Sequence, residues 1–152
     1  VENIFSSQFP KMDNQSKLFA LLHDSAEYVI SDMISPLKAH LGMTYETLDE
    51  KLTMAICIRF NIPTTKIKII KKQVKLADKM AAWLEAIQLA GFSKIEADKL
   101  FGKQESIEGF EDYLSPATPF FVRKKFVNRF NELYNLEDGG IKSDDNRNDK
   151  KC

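Results

Sequence analysis

One histidine and three acidic residues interrupt an otherwise apolar stretch between Leu21 and Lys38. They are His23, Asp24, Glu27 and Asp32. Residues three and four apart share a helical face, so a helix here would place Glu27 one turn beyond both His23 and Asp24. Burying such groups without partners costs several kcal/mol, and a divalent metal held by imidazole and carboxylate offsets that cost. The pattern predicts a patch that can hold a divalent metal.

A purely structural role is the alternative for each of these residues. A His-Asp pair is a weak motif on its own, because the two side chains can simply hydrogen-bond to each other in a core. Asp78, far along the chain, lies beside an apolar helical stripe, where an acid is unexpected. Alternatively, the Asp78 side chain points outward to solvent and pairs with Lys75. Taken together, a His-Asp pair on one helix and an inward-leaning acid on a later helix are typical of a metal site in a helical bundle.

The sequence from His23 to Lys38 resembles the central motif of bacterial HD-domain phosphohydrolases of the 5′-nucleotidase type. The matching features are the His23-Asp24 pair, Glu27, Asp32 and the Pro36-Leu37-Lys38 triplet. Further segments are similar to the same family: Tyr45 to Glu50, Ile58 to Pro63, Ala77-Asp78 through Glu85, and Phe126 to Phe130. The resemblance therefore covers nearly everything from Val1 to about Tyr134.

The resemblance implies one divalent metal ion held by two histidines and two aspartates. His23, Asp24 and Asp78 would be three of the four ligands. The family pattern puts the remaining histidine about one helical turn before Val1, so we expect a truncated chain, with a degenerate gene product as the alternative. The only other histidine, His40, falls in the wrong segment and is expected at the surface. The metal's identity stays open among Mn, Co, Fe, Ni, Zn and Mg.

The same resemblance implies metal-dependent release of phosphate from a nucleotide, with a (deoxy)nucleoside 5′-monophosphate as the expected substrate. Glu27 would orient or deprotonate the attacking water, and Asp32 would contact that water or the substrate. Lys38 is a candidate phosphate contact. The alternative is a catalytically silent HD-fold module that binds a nucleotide or a protein partner.

Apolar residues recur at steps of three and four without sustained alternation, which predicts an all-α helical bundle of about six helices and no sheet. Asp13 or Asn14 can cap a second helix that carries Leu18, Phe19, Leu22, Ala26 and Val29. Thr44 caps a helix whose inner face carries Leu48, Leu52, Ala55 and Ile56. The longest helix runs from Thr65 to Ala90 and is followed by a short one from Lys94 to Phe101. A last helix opens at Pro119 with Val122, Phe126, Phe130 and Leu133 on one stripe.

With 152 residues and 43% hydrophobic residues, the chain predicts one domain, residues 1–136, followed by a flexible polar tail, residues 137–152. Lysine plus arginine equals aspartate plus glutamate at 22 each, so no specific nucleic-acid binding is expected. No apolar run approaches the ~20 residues that span a bilayer, and no membrane partner is expected. Two cysteines form no disulfide framework, and we expect a cytoplasmic protein. A homodimer is a family expectation.

The spacing of two further groups of residues indicates ordinary structural roles. Six lysines crowd one predicted helix and indicate its solvated side rather than an RNA-binding surface: Lys66, Lys68, Lys71, Lys72, Lys75 and Lys79. Four phenylalanines near the last helix have the spacing of core or dimer-interface residues: Phe120, Phe121, Phe126 and Phe130.

Overall fold

The computed structural model describes residues 1–105, 107–111 and 113–135. In these ranges the chain forms eight α-helices and no strand, which confirms the predicted all-α fold and exceeds the expected helix number of about six. In chain order they are α1 (Glu2–Gln8), α2 (Asn14–Leu21), α3 (Glu27–Ile30), α4 (Ser35–Leu41), α5 (Met43–Arg59), α6 (Ile67–Gln88), α7 (Lys94–Phe101) and α8 (Pro119–Asn135). A 3-10 turn, Thr64–Lys66, leads into α6.

The centre of the fold is α6, which contacts α1, α2 and α7. Apolar spacing predicts an inner stripe of Ile67, Ile70, Val74, Ala77, Ala81, Leu84 and Gln88, and all of these are buried except Gln88, which is half-buried. Met80, Trp83 and Ala86 are buried as well, because neighbours cover this helix on more than one side. A central helix with a wide apolar surface is the most reliable element to predict. The position of Asp78 is fixed by this helix, because Asp78 belongs to α6.

The N-terminal helices are fixed to this core and to α8. Phe5 and Leu18 are almost completely buried, and the carboxylate of Asp13 caps α2 by accepting a hydrogen bond from the Ser16 amide at 2.8 Å, as predicted. The buried carboxylate of Glu2 accepts two hydrogen bonds from Arg129, at 3.0 and 2.8 Å, and one from the Ser6 hydroxyl at 2.6 Å. This bidentate pair joins α1 to α8.

Replacing Arg129 with methionine is expected to destabilise the protein by about 2–3 kcal/mol, because it leaves the Glu2 carboxylate buried without its counter-charge. Arg129 also contacts Glu132, whose side chain is 60% exposed. Glu132→Gln therefore serves as the matched control and should change the free energy of unfolding by no more than about 0.5 kcal/mol. Urea denaturation measures both values. Equal midpoints for the two variants would show that the Glu2 contact does not stabilise the fold.

The predicted second helix is not continuous. It ends at Leu21, residues 22–26 form turns, and the short α3 follows, with Val29 65% exposed instead of packed inward. The backbone bonds from the Ser25 amide to Leu22 and from the Glu27 amide to Asp24 span three residues rather than four. Aspartate and serine favour such turns because their side chains compete for backbone hydrogen bonds. His23 and Asp24 consequently lie in a turn between helices.

The predicted face of α5 is also wrong in part. Gly42, with φ of 53°, directly precedes this helix, so Thr44 does not cap it. The buried residues are Thr53 and Cys57, whereas Leu48 is 44% exposed. Its main backbone contacts are with α4 and the 3-10 turn, and it faces α6 across a cleft, which explains why so few of its apolar side chains are covered.

The stripe predicted for α8 is buried only toward its end. Leu133 is buried and Phe130 is half-buried, but Val122 and Phe126 are 54% and 42% exposed. Phe120 and Phe121 are exposed too, so a core role for the first half of this helix is wrong. Val122 and Phe126 instead line an open cleft that α8 shares with residues of α1.

No helix within the described residues is both long enough and apolar enough to cross a membrane. The tail predicted to be flexible, residues 137–152, lies outside the described residues.

Candidate functional site

A cleft of about 410 Å³ lies between the 22–26 turn, α4, α5 and α6. Its volume is within the range of pockets that take small molecules. Five of the six site residues predicted from the sequence line it: His23, Asp24, Glu27, Lys38 and Asp78. The sixth, Asp32, is 82% exposed and is not part of the lining. Side chains 54 positions apart along the chain, from Asp24 to Asp78, thus meet in one cleft.

His23 is held in place through one ring nitrogen and presents the other to two carboxylates. Its Nδ1 lies 3.0 Å from the carbonyl oxygen of Ala20, a contact in which the ring N–H donates. Its Nε2 lies 2.9 Å from Oδ2 of Asp24 and 3.7 Å from Oδ1 of Asp78. Nε2 is buried and has no well-directed hydrogen bond, although Asp24 is close, because the carboxylate oxygen lies off the direction of a ring N–H bond.

The two carboxylates set the charge of His23 in the metal-free protein. Burial lowers the pKa of the imidazole, but Asp24 and Asp78 outweigh burial and raise the pKa to about 9. The His23 side chain in turn holds the pKa of the Asp24 carboxyl below its usual range. At neutral pH His23 is therefore a cation between two anions, as long as no other cation takes its place.

Glu27, Lys38 and Asp32 form a second group at the edge of the cleft. The ammonium of Lys38 lies 3.4 Å from Oε1 of Glu27 and 3.9 Å from Oδ1 of Asp32. Burial and the nearby carboxylates of Asp24 and Asp32 raise the pKa of Glu27. A carboxylate with a raised pKa is a better proton acceptor, which suits the predicted role of Glu27.

Several lining residues were not selected from the sequence. Tyr45 and Asp49 of α5 and Lys71 and Lys75 of α6 line the cleft beside the predicted residues. The sequence pattern predicts that Lys71 and Lys75 belong to a solvated lysine run. Their positions three and seven residues before Asp78 place them on the same side of α6, and that spacing is a signal that could have identified them.

The remaining candidates lie elsewhere. Glu85 lines a separate cleft of about 290 Å³ between α1 and α8, together with Arg129. His40 is exposed on α4, as expected.

A divalent metal fits this group of side chains in part. Among the residues that the structure describes, no three or more histidine, cysteine, aspartate or glutamate side chains form a ready metal site. Yet His23 has the features of a ligand: a backbone carbonyl fixes Nδ1, and the buried Nε2 faces carboxylates. Ligands of one metal, at bonds of about 2.1 Å, stand roughly 3.0–3.4 Å apart, close to the separations of His23 from Asp24 and Asp78.

The fold and the cleft together define an all-helical protein with a carboxylate-rich cleft around one fixed histidine. No family model matches the chain. Its sequence is 43% identical over 135 residues to a Rhodobacter capsulatus protein named "Uncharacterized protein RCAP_rcc00048", a match that covers 88% of this chain and 68% of that protein. The chain belongs to the same family as this protein. The resemblance to HD-domain hydrolases stays a prediction from the motifs.

Proposed function

We propose that this protein is a metal-dependent phosphohydrolase of the HD-domain type, which releases phosphate from a nucleotide, with a (deoxy)nucleoside 5′-monophosphate as the expected substrate. One observation supports this proposal above the others: the buried Nε2 of His23 faces Asp24 and Asp78 inside a cleft that also holds Glu27 and Lys38. A histidine and two carboxylates are suitable ligands for a divalent metal, and the cleft is large enough for a small substrate.

In this proposal His23, Asp24 and Asp78 hold the metal ion. When bound, a divalent ion lowers the pKa of water and neutralises charge on a phosphoryl group. Glu27, one turn of chain away from Asp24, accepts a proton from the attacking water at its carboxylate. Lys38 keeps the Glu27 carboxylate in position through their 3.4 Å contact. Asp32 reaches the cleft only through Lys38, so its role is to support that lysine.

The proposal is tested by phosphate release from a panel of ribo- and deoxyribonucleoside 5′-monophosphates, with one divalent metal at a time added to chelator-treated protein. The assay uses the 152-residue chain and, where the natural protein has residues before Val1, the longer form. We expect release with at least one metal and none after chelation. Glu27→Gln should lower kcat by about a hundredfold, because the proton acceptor is lost.

Glu46→Gln is the matched control, since Glu46 is an exposed glutamate of α5 outside the cleft lining. It should behave as the wild type. A wild-type chain that releases no phosphate with any metal would overturn the proposal, and so would a Glu27→Gln variant with unchanged kcat.

One observation favours a second candidate, a catalytically silent module that binds a nucleotide. The raised pKa of His23, about 9, means that this imidazole is protonated at neutral pH, and a protonated imidazole is not a metal ligand. In a silent module the His23 cation would stay paired with Asp24 and Asp78 and would stabilise the cleft. Nucleotide binding that needs no metal, without phosphate release, would support this candidate.

A further inference from the structure

The lysines of the cleft differ in the partners that neutralise them. The ammonium of Lys38 is shared by Glu27 and Asp32, at 3.4 and 3.9 Å, and it also lies 5.7 Å from the centre of the Tyr45 ring. These contacts fix it on the protein's own groups. The carboxylates compete with a substrate anion for this ammonium and offset its charge.

The two α6 lysines that line the cleft, Lys71 and Lys75, complete the comparison. Lys71 lies 4.0 Å from Oδ2 of Asp49. Lys75 also lines the cleft, but within the described part of the chain no carboxylate oxygen comes within 4.0 Å of its ammonium. Lys75 is therefore the cleft lysine whose charge the surrounding protein does not neutralise.

The position of Lys75 relates it directly to the predicted metal ligands. Lys71, Lys75 and Asp78 follow one another at steps of four and three residues, so they share one face of α6. Lys75 lies one turn from Asp78, on a helix whose other side is anchored in the core. Its side chain is exposed, and its ammonium offers three donors and no acceptor, which suits phosphate oxygens.

The charge of the cleft shows why a free lysine matters there. Its lining contains three lysines and four carboxylates, which leaves it at minus one when His23 is neutral, and a divalent ion brings it to plus one. A phosphate dianion is attracted only weakly by such a balance. A lysine without a carboxylate partner in the cleft attracts the phosphate dianion to the position of its own ammonium group.

We propose that Lys75 binds the phosphate group of the substrate, and that Lys38, for which the sequence predicts this role, instead positions Glu27. This inference rests on the proposed function and names the residue that recognises the phosphate in that same site. It predicts that the loss of Lys75 weakens phosphate binding, whereas the loss of Lys38 slows catalysis.

The test compares Lys75→Met with Lys79→Met, a control that removes the same charge from an exposed position on α6 outside the cleft. KM for the nucleotide and the inhibition constants of the products, inorganic phosphate and nucleoside, are measured for both. We expect KM and the phosphate constant to rise about tenfold in Lys75→Met, because a charged hydrogen bond to phosphate is lost. The nucleoside constant should not change. Lys75→Arg should recover part of the phosphate affinity, and Lys38→Met should lower kcat more than it raises KM.

The failure of this inference is distinct from the failure of the proposed function. If wild type is active and Lys75→Met matches Lys79→Met, the assignment of Lys75 is wrong and the hydrolase proposal stands. If wild type releases no phosphate, the hydrolase proposal fails, and a titration with inorganic phosphate followed by ³¹P NMR still tests Lys75. Weaker binding in Lys75→Met alone would support the assignment, and equal or absent binding in all variants would overturn it.

Discussion

Replacing Asp78 with asparagine is expected to lower kcat/KM for nucleotide hydrolysis by about a thousandfold or more, and to weaken metal binding in parallel. Asparagine keeps the shape of the side chain but removes the charge that faces His23 at 3.7 Å. The Asp78 side chain is 53% exposed, so the free energy of unfolding should change by less than about 1 kcal/mol. A large loss of activity with little loss of stability identifies a functional carboxylate.

Phosphate release, metal content after dialysis and urea denaturation measure the three quantities on one preparation. Glu50→Gln is the matched control, because Glu50 is an exposed acid of α5 that does not line the cleft. If Asp78→Asn keeps its metal and full activity, Asp78 is not a metal ligand. The proposed metal site would then have only His23 and Asp24 as ligands. Activity lost together with several kcal/mol of stability would instead indicate a structural role.

The sequence was sufficient to predict the all-α fold and α6, because α6 combines length with a wide apolar stripe. Its periodicity also placed Asp78 on the edge of that stripe, and this edge is where the cleft opens. The convergence of His23, Asp24 and Asp78 was inferred by assuming that α2 continued through Glu27. In the structure a turn at residues 22–26, and not a continuous helix, brings His23 and Asp24 to Asp78.

Other features depend on contacts that no local pattern specifies. The exposure of Val122 and Phe126 depends on what packs against α8, and the partners of Lys38, Lys71 and Lys75 depend on how α4, α5 and α6 are arranged. A lysine run on an amphipathic helix usually faces solvent, and most of this run does. Only the tertiary structure shows that two of its members line a cleft.

Metal binding is expected to strengthen by about 500-fold as the pH rises from 6 to 9, since a metal must displace the proton that His23 holds with a pKa of about 9. Each pH unit below that value costs about tenfold in affinity.

Stability of the metal-free protein should move in the opposite direction. The pKa of His23 is raised above its ordinary value of 6.5, so its contribution is fully present below about pH 6.5 and is lost as the pH rises through 9. The loss should be about 1–2 kcal/mol, because Asp24 and Asp78 are half-exposed and solvent screens the pair.

Two histidines make this pH dependence separable, because His40 is exposed and does not line the cleft. His23→Gln should abolish both the metal affinity and the loss of stability between pH 6.5 and 9, whereas His40→Gln should keep both. Calorimetric titration with a divalent metal and urea denaturation, each at several pH values, measure the two effects. In the metal-free protein, NMR should follow the His23 ring through a midpoint near pH 9 that falls when Asp24 becomes asparagine. A His23 midpoint near 6.5, with metal affinity independent of pH, would mean that Asp24 and Asp78 do not act on this imidazole and that it is not where a metal binds.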